Sequence, residues 1–308
     1  MPALICGSLA FDTITLFPGR FAQQILPEQL HILNVSFLVP TLRREFGGCA
    51  GNIAYSLRAL GGEPLVMAAV GADGEGYLER LRGWGVACDL VRVEADSYTA
   101  QAIIITDTDN NQITAFHPGA MQSAHLTAVP AADAAASRGL AIAIVAPDGR
   151  EAMLQHAAQL AAAGIPFVFD PGQGLPMFDG DELRSFIAAA SWVALNDYEA
   201  RMLCNRTGQA LEQLSRLPQL RAVVVTLGAQ GCEVWQQGRR THVPGVAASE
   251  VVDPTGCGDA FRAALLYGLE REWPIDRCVA LGNRVGALKI AHRGGQNHPV
   301  DRAALGLA

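Results

Sequence analysis

Between residues 250 and 272 the chain reads EVVDPTGCGDAFRAALLYGLERE, and Gly256, Gly258 and Asp259 stand at the mouth of what otherwise reads as a long apolar helix. Glycine costs a helix interior roughly 1 kcal/mol relative to alanine, so a pair of them at the start points to a need for bare backbone. A helix N-terminus offers unpaired N–H groups and the positive end of the helix dipole, which together make an anion site without any side chain. In Thr255-Gly256-Cys257-Gly258 that backbone is uncovered. Asp259, in the first turn, then stands where a carboxylate could take a proton from a hydroxyl attacking the terminal phosphate of ATP, while the N–H groups stabilise charge on the phosphoryl oxygens. The bland reading is a tight loop followed by an acidic partner of the dipole, and the isolated pattern leaves both open.

Other phosphate chemistries are excluded. The chain has one lysine, Lys289, no G-x-x-x-x-G-K-[ST] and no strand lysine in a V-A-I-K context, so neither a P-loop nor a protein-kinase site is expected. The first apolar run is not followed by G-x-G-x-x-G, which removes the main support for a dinucleotide-binding domain and a dehydrogenase.

The elements that must position Asp259 are legible as a rhythm. Short β-rich runs (ALICGSLAF, PLVMAAVG, LAIAIVAP, PFVFDPG, WVALND, AVVVTLG) alternate with helical patterns such as AGNIAYSLRALGG, GYLERLRGWG and EAMLQHAAQLAAAG. This predicts a doubly wound α/β core, a mostly parallel sheet flanked by helices, with strands buried on both faces. Residues 13–46 and 98–117 break the rhythm with strands that lack long helices between them, and DTDNNQ reads as a hairpin. Both are expected to form a small β-sheet lid inserted into a single domain spanning 1–308.

Half of the 308 residues are hydrophobic, enough for a large core, and the net charge of −7 with no Lys/Arg run longer than Arg43-Arg44 or Arg239-Arg240 argues against a nucleic-acid or anionic-membrane partner. Seven scattered cysteines without a C-x-x-C pair predict neither disulfides nor zinc, and hence a reducing, cytoplasmic setting. MPALICGSLAFD lacks a basic segment and its apolar run stops at Asp12, so it reads as a buried first strand rather than a signal peptide or membrane span.

DPTGCGDAF also matches the D-[TP]-x-G-x-G-D signature, and with GSLAFD, FGGCAGNIAYSLRALGG, VGADGEG, LNDYEA and VTLGAQG in order the chain resembles the ribokinase-like (PfkB) carbohydrate and nucleoside kinases over nearly its whole length. The resemblance implies that family's fold, ATP and Mg²⁺ as cofactors, Asp259 as the base, and Gly256, Cys257 and Gly258 as the anion loop. It implies that Asp12, at the end of the first strand, accepts hydrogen bonds from vicinal sugar hydroxyls, and that Gly47, Gly48 and Asn52 form the sugar-contacting loop and helix start. Asn196 and Glu199, one helical turn apart, resemble the N-x-x-E pair that orders Mg²⁺ and its waters; a plain helix start is the alternative. Thr226, Gly228 and Gly231 resemble the nucleotide-binding loop, and Asn283 is expected beside the adenine. Many members bind a monovalent cation near the anion loop, which makes Asp253, Thr255 and the turn HRGGQNH candidates for a K⁺ site; an Asx-type turn at Asp253 is the alternative. Cys257 stands where the family has alanine and reads as packing.

D-P-T-G-x-G-D-A-F-R resembles bacterial adenosine and nucleoside kinases more than ribokinases or fructokinases. Arg262, three residues after Asp259, is accordingly expected to steady the transferring phosphoryl group, with a surface arginine as the alternative. DPGQGLP and FHPGAM look like the same branch, making Gln173 a candidate for base or ribose contacts and Phe116 a candidate lid wall, against a buried lid-core phenylalanine. The expected reaction is ATP-dependent phosphorylation of the ribose 5′-hydroxyl of a purine nucleoside (inosine, guanosine or adenosine). The alternatives are a kinase for ribose or a related free sugar, and a non-catalytic small-molecule-binding α/β protein. An exposed lid edge could pair two copies into a homodimer.

Overall fold

Successive residues of the apolar runs point to opposite sides of a sheet, and each side has its own core. Ala3, Ile5, Val66, Ala68, Ile142 and Ile144 join one buried cluster, while their neighbours Leu4, Cys6, Leu65, Met67, Ala143 and Val145 join the other. A computed structural model describes residues 2–25, 32, 34–109 and 111–307. Its strands are β1 (Pro2–Cys6), β2 (Ala10–Leu16), β3 (Thr41–Gly47), β4 (Glu63–Gly71), β5 (Ala87–Glu94), β6 (Ala100–Thr106), β7 (Gln112–His117), β8 (Ile142–Val145), β9 (Phe167–Phe169), β10 (Trp192–Asn196), β11 (Ala222–Thr226), β12 (Gly231–Gln236) and β13 (Arg239–Pro244).

The large sheet has the order β13-β12-β11-β10-β9-β8-β1-β4-β5. It is parallel from β5 to β11, and β12 and β13 add an antiparallel hairpin at one edge. Helices Cys49–Ala59, Glu75–Gly83, Cys257–Leu269 and Ile275–Lys289 cover one face. Helices Arg150–Ala162, Gly180–Ala189 and Asp197–Thr207 cover the other. Each fully buried Leu, Ile or Phe contributes about 1.5–3 kcal/mol, so the two cores carry most of the stabilisation. Helix Cys257–Leu269 is buried continuously from Ala260 to Gly268, which fixes the direction in which its N-terminal turn points. The chain builds outward from β1 through β4 to β5, then returns to β8 on the other side of β1, so the order reverses between β1 and β8. Ligands of open α/β sheets bind outside the carboxyl ends of the strands at such a reversal.

The small sheet has the order β3-β2-β6-β7, with β2–β3 and β6–β7 antiparallel and β2–β6 parallel. The expected hairpin is present, although its Asn110 lies outside the described residues, as do residues 26–31 and 33 of the expected span 13–46. The small sheet starts at Ala10 rather than at residue 13, and Asp12 lies inside β2 rather than at the end of the first strand. The apolar run ALICGSLAF is broken because Ser8 leaves the large sheet: its N–H donates to Pro147 O, its carbonyl accepts from Ala50 N–H, and its Oγ accepts from Cys49 N–H.

Candidate active site

Gly256 has φ +77° and ψ 5°, and a Cβ there would stand 3.0 Å from Gly295 Cα. Both the left-handed backbone and the close approach of the 253–258 loop to the 293–296 turn demand glycine. The helix starts at Cys257, whose thiol lies 3.9 Å from the Asp253 carbonyl, and burial holds that thiol above its ordinary pKa, in keeping with a packing role. Asp259 is the third helical residue. Its Oδ2 accepts a 2.8 Å hydrogen bond from Asn52 Nδ2. Burial pushes the Asp259 carboxyl up to about 6; the Asn52 bond opposes this and nearby Asp170 adds to it. A carboxylate with a pKa near the working pH is a suitable proton acceptor.

Asn52, expected to contact the sugar, is engaged within the protein through one bond at each end of its amide. It is buried, its amide nitrogen is on Asp259, and its amide oxygen accepts from Gln296 Nε2 at 3.1 Å. Gln296 Nε2 also meets the Tyr77 hydroxyl at 2.5 Å, and that hydroxyl donates to Gly47 O at 2.6 Å. Tyr77 escaped the sequence reading, and Gln296, although it lies in the turn HRGGQNH, was not singled out, because their partners are distant in sequence.

Asp12 faces the site from the small sheet. Burial, then the negative charges of Glu45 and Asp253, push its carboxyl up to about 6, and among the described residues it makes no hydrogen bond. The adjacent glycines have different reasons. A Cβ on Gly47 would lie 2.4 Å from Asp12 Oδ2, so Gly47 leaves room for the carboxylate. Gly48 has φ +84° and approaches Ser8 O so closely that a Cβ would be 2.5 Å away. Strand register places Glu45, Asp12, Ala102 and Phe116 in one cross-strand row, so Phe116 shares the face of Asp12. It is 54% exposed, which removes the buried lid-core reading.

Arg262 is not a surface residue, and two of its three guanidinium nitrogens are engaged within the protein. Its Nε and Nη2 form a bidentate pair with the two carboxylate oxygens of Asp170 at 2.9 and 3.0 Å, with both side chains buried. Glu199 Oε2 lies 3.8 Å away. The pair joins the Asp259 helix to the end of β9, while the remaining guanidinium nitrogen, Nη1, lies beside Gly258, 3.2 Å from where a Cβ on that glycine would stand. Asp170 was missed although it opens the DPGQ stretch, where Gln173 was singled out; Gln173 is exposed in the turn Gly172–Met177.

Asn196 and Glu199 form a reciprocal capping box at helix Asp197–Thr207. Both Glu199 oxygens accept from Asn196, at 2.8 Å from its backbone N–H and 2.7 Å from its side chain. Burial raises the Glu199 pKa, Asp170 adds to this and Arg262 opposes it. Both Glu199 carboxylate oxygens thus already accept a hydrogen bond within the protein. Among the described residues no three His, Cys, Asp or Glu cluster to hold a metal. Thr226 pairs with Asn196 across β10 and β11, and its Oγ1 donates to Leu195 O at 3.3 Å. Gly228 (φ +58°) and Gly231 (φ +98°) turn the chain after β11, and a Cβ on Gly231 would strike Val243 O at 2.2 Å. Asn283 Nδ2 donates to Val243 O and Pro244 O, so Asn283 and Gly231 meet at the end of β13.

The loop expected to hold K⁺ does not fit a free alkali ion. Asp253 Oδ1 accepts from Thr255 N–H and Oδ2 from Gly294 N–H, both at 2.9 Å. Burial raises the Asp253 pKa, but those bonds outweigh it and leave the carboxyl below its ordinary range. The Asp253 carbonyl accepts from Lys289 Nζ at 2.8 Å.

Residues 22–302 match the pfkB family carbohydrate kinase profile. The chain belongs to the pfkB carbohydrate kinase family. As a pfkB kinase it is a phosphotransferase acting on a hydroxyl group. This pfkB kinase is 48% identical to the nucleoside kinase of Burkholderia thailandensis in complex with inosine, with a TM-score of 0.86 over 98% of this chain and 95% of that one. The nucleoside kinase of Methanocaldococcus jannaschii is 28% identical over 268 residues, 86% of this chain and 85% of its own. The structure of that archaeal member of the ribokinase family gives a TM-score of 0.88 at 25% identity, over 99% of this chain and 96% of that one.

Proposed function

We propose that this pfkB kinase transfers the terminal phosphoryl group of MgATP to the ribose 5′-hydroxyl of a purine nucleoside such as inosine, guanosine or adenosine. The observation that carries the reading is the pairing of Asp259, set by Asn52 beside a bare glycine turn, with a second carboxylate, Asp12, on a separate sheet. Two carboxylates allow two tasks: Asp12 accepts hydrogen bonds from vicinal ribose hydroxyls, and Asp259 takes the proton of the attacking hydroxyl. The N–H groups of Gly256, Cys257 and Gly258 stabilise charge on the transferring group. Preference for a nucleoside over a free sugar is supported by the inosine complex of the 48% identical relative, and by exposed Phe116, an apolar ring on the Asp12 face.

Mg²⁺ neutralises phosphate charge when bound with ATP, and it keeps most of its waters in such sites. The Asn196–Glu199 pair orders those waters, and Thr226, Gly228, Gly231 and Asn283 line the nucleotide end. The small sheet closes over the nucleoside and also offers an edge to a second copy, supported by exposed Leu42 on β3 and Ile113 on β7. The reaction fits purine salvage in the cytoplasm.

The test is an ATP-consumption screen with Mg²⁺ over inosine, guanosine, adenosine, ribose and fructose. Faster turnover of at least one purine nucleoside than of either sugar supports the proposal. Turnover of a free sugar with no nucleoside reaction overturns it.

A further inference from the structure

Lys289, the one lysine of the chain, ends helix Ile275–Lys289 and is 0% exposed. Its Nζ donates to Asp253 O at 2.8 Å and to His292 O at 2.9 Å. These carbonyls come from the two segments that frame the anion loop: Asp253 precedes the glycines, and His292 opens the turn that packs Gly295 against Gly256. Asp253 binds the same segments a second time through its carboxylate, on Thr255 N–H and Gly294 N–H. Carbonyl oxygens converging on one point from separate loops are what a hard cation needs. A buried ammonium also has to be compensated, and two carbonyls with Asp253 and Asp259 nearby provide that compensation.

We propose that the Lys289 ammonium is a built-in replacement for a monovalent cation, drawing the Asp253 and His292 segments together so that the N–H groups of residues 256–258 are held in place with no alkali ion. Lys289 is a positioning residue: it acts through the loop and touches neither substrate. The inference rests on the kinase reading for its catalytic consequence, but its effect on the loop can be read without catalysis.

The experiment compares wild type and Lys289→Met in potassium, ammonium, sodium and tetramethylammonium chloride at one ionic strength, by turnover of inosine with MgATP and by thermal melting. Wild type is expected to show the same kcat and the same Tm in all four salts. Lys289→Met is expected to lose about 10- to 100-fold in kcat in tetramethylammonium through misplacement of the loop. Potassium or ammonium should restore part of that loss and raise the melting temperature of the variant. Several-fold activation of wild type by potassium over tetramethylammonium overturns the proposal, even if the variant does not fold. Full turnover of the variant in tetramethylammonium, or a folded variant that no cation rescues, also overturns it. If wild type phosphorylates no acceptor, the kinase reading falls separately, and the melting comparison still decides whether Lys289 replaces a cation.

Discussion

The side-chain amide of Asn52 donates to a carboxylate oxygen of Asp259 at 2.8 Å, across 207 positions of sequence. Through Gln296 and the Tyr77 hydroxyl the same network reaches Gly47 O, beside the Asp12 carboxylate. The buried network that holds Asp259 thus ends on the backbone carbonyl beside Asp12, whose own carboxylate makes no hydrogen bond among the described residues.

Replacing Asn52 with leucine removes the side-chain amide that donates to Asp259 Oδ2. Because that bond lowers the Asp259 pKa, its loss should move the acid limb of kcat/KM to higher pH. It should also lower kcat by about 10- to 100-fold with little change in KM for ATP. A pH–rate profile of the variant with an unmoved limb would make Asn52 merely structural.

Asp259 and Asp12 both have carboxyl groups pushed up to about 6. Both must be ionised to work, so kcat/KM of wild type should fall as the pH drops through about 6, with a limb steeper than one proton. An activity that is flat down to pH of about 4.5 would contradict the roles of both residues.

Gly47→Ala should displace the Asp12 carboxylate, since the added methyl carbon falls 2.4 Å from Oδ2. The expected result is a rise in nucleoside KM of about tenfold or more, the scale of a weakened charge-assisted hydrogen bond, with kcat for bound substrate less affected. Unchanged KM would place the sugar elsewhere.

Arg262→Met leaves Asp170 as a buried, unpaired carboxylate. Breaking such a pair costs about 3–5 kcal/mol, so the melting temperature should fall sharply, and lysine should not restore it because it lacks the bidentate fork. A variant with normal melting and a pure loss of kcat would return Arg262 to the phosphoryl group.

What was legible in the sequence was what depends on local pattern. The parallel core followed from runs such as AVVVT, whose residues alternate between the two cores. Gly256 and Asp259 were legible because a left-handed turn at a helix start leaves a glycine mark. The failures involve partners distant in sequence. The continuous apolarity of ALICGSLAF hid the break at Ser8, which depends on Pro147 and Ala50. Arg262 shares a helix with Asp259, and periodicity cannot reveal that Asp170, 92 positions away, holds its charge. Nothing local in the sequence shows that Asp253 O and His292 O surround the Lys289 ammonium.

The central claim, that Asp259 takes the proton of a nucleoside hydroxyl, is tested most directly by Asp259→Asn with inosine and MgATP, measured as kcat for the 5′-monophosphate. Asparagine keeps the shape and still accepts from Asn52. It also removes a carboxyl whose pKa is raised above 3.8 by folding; such a group binds protons more tightly in the folded state, so stability is lost as pH rises from 3.8 to about 6, and the variant should melt no lower than wild type at neutral pH. The account predicts a loss of about 10²- to 10⁴-fold in kcat. A well-folded variant that turns over within a few-fold of wild type would contradict it and leave Asp259 as a partner of the helix dipole.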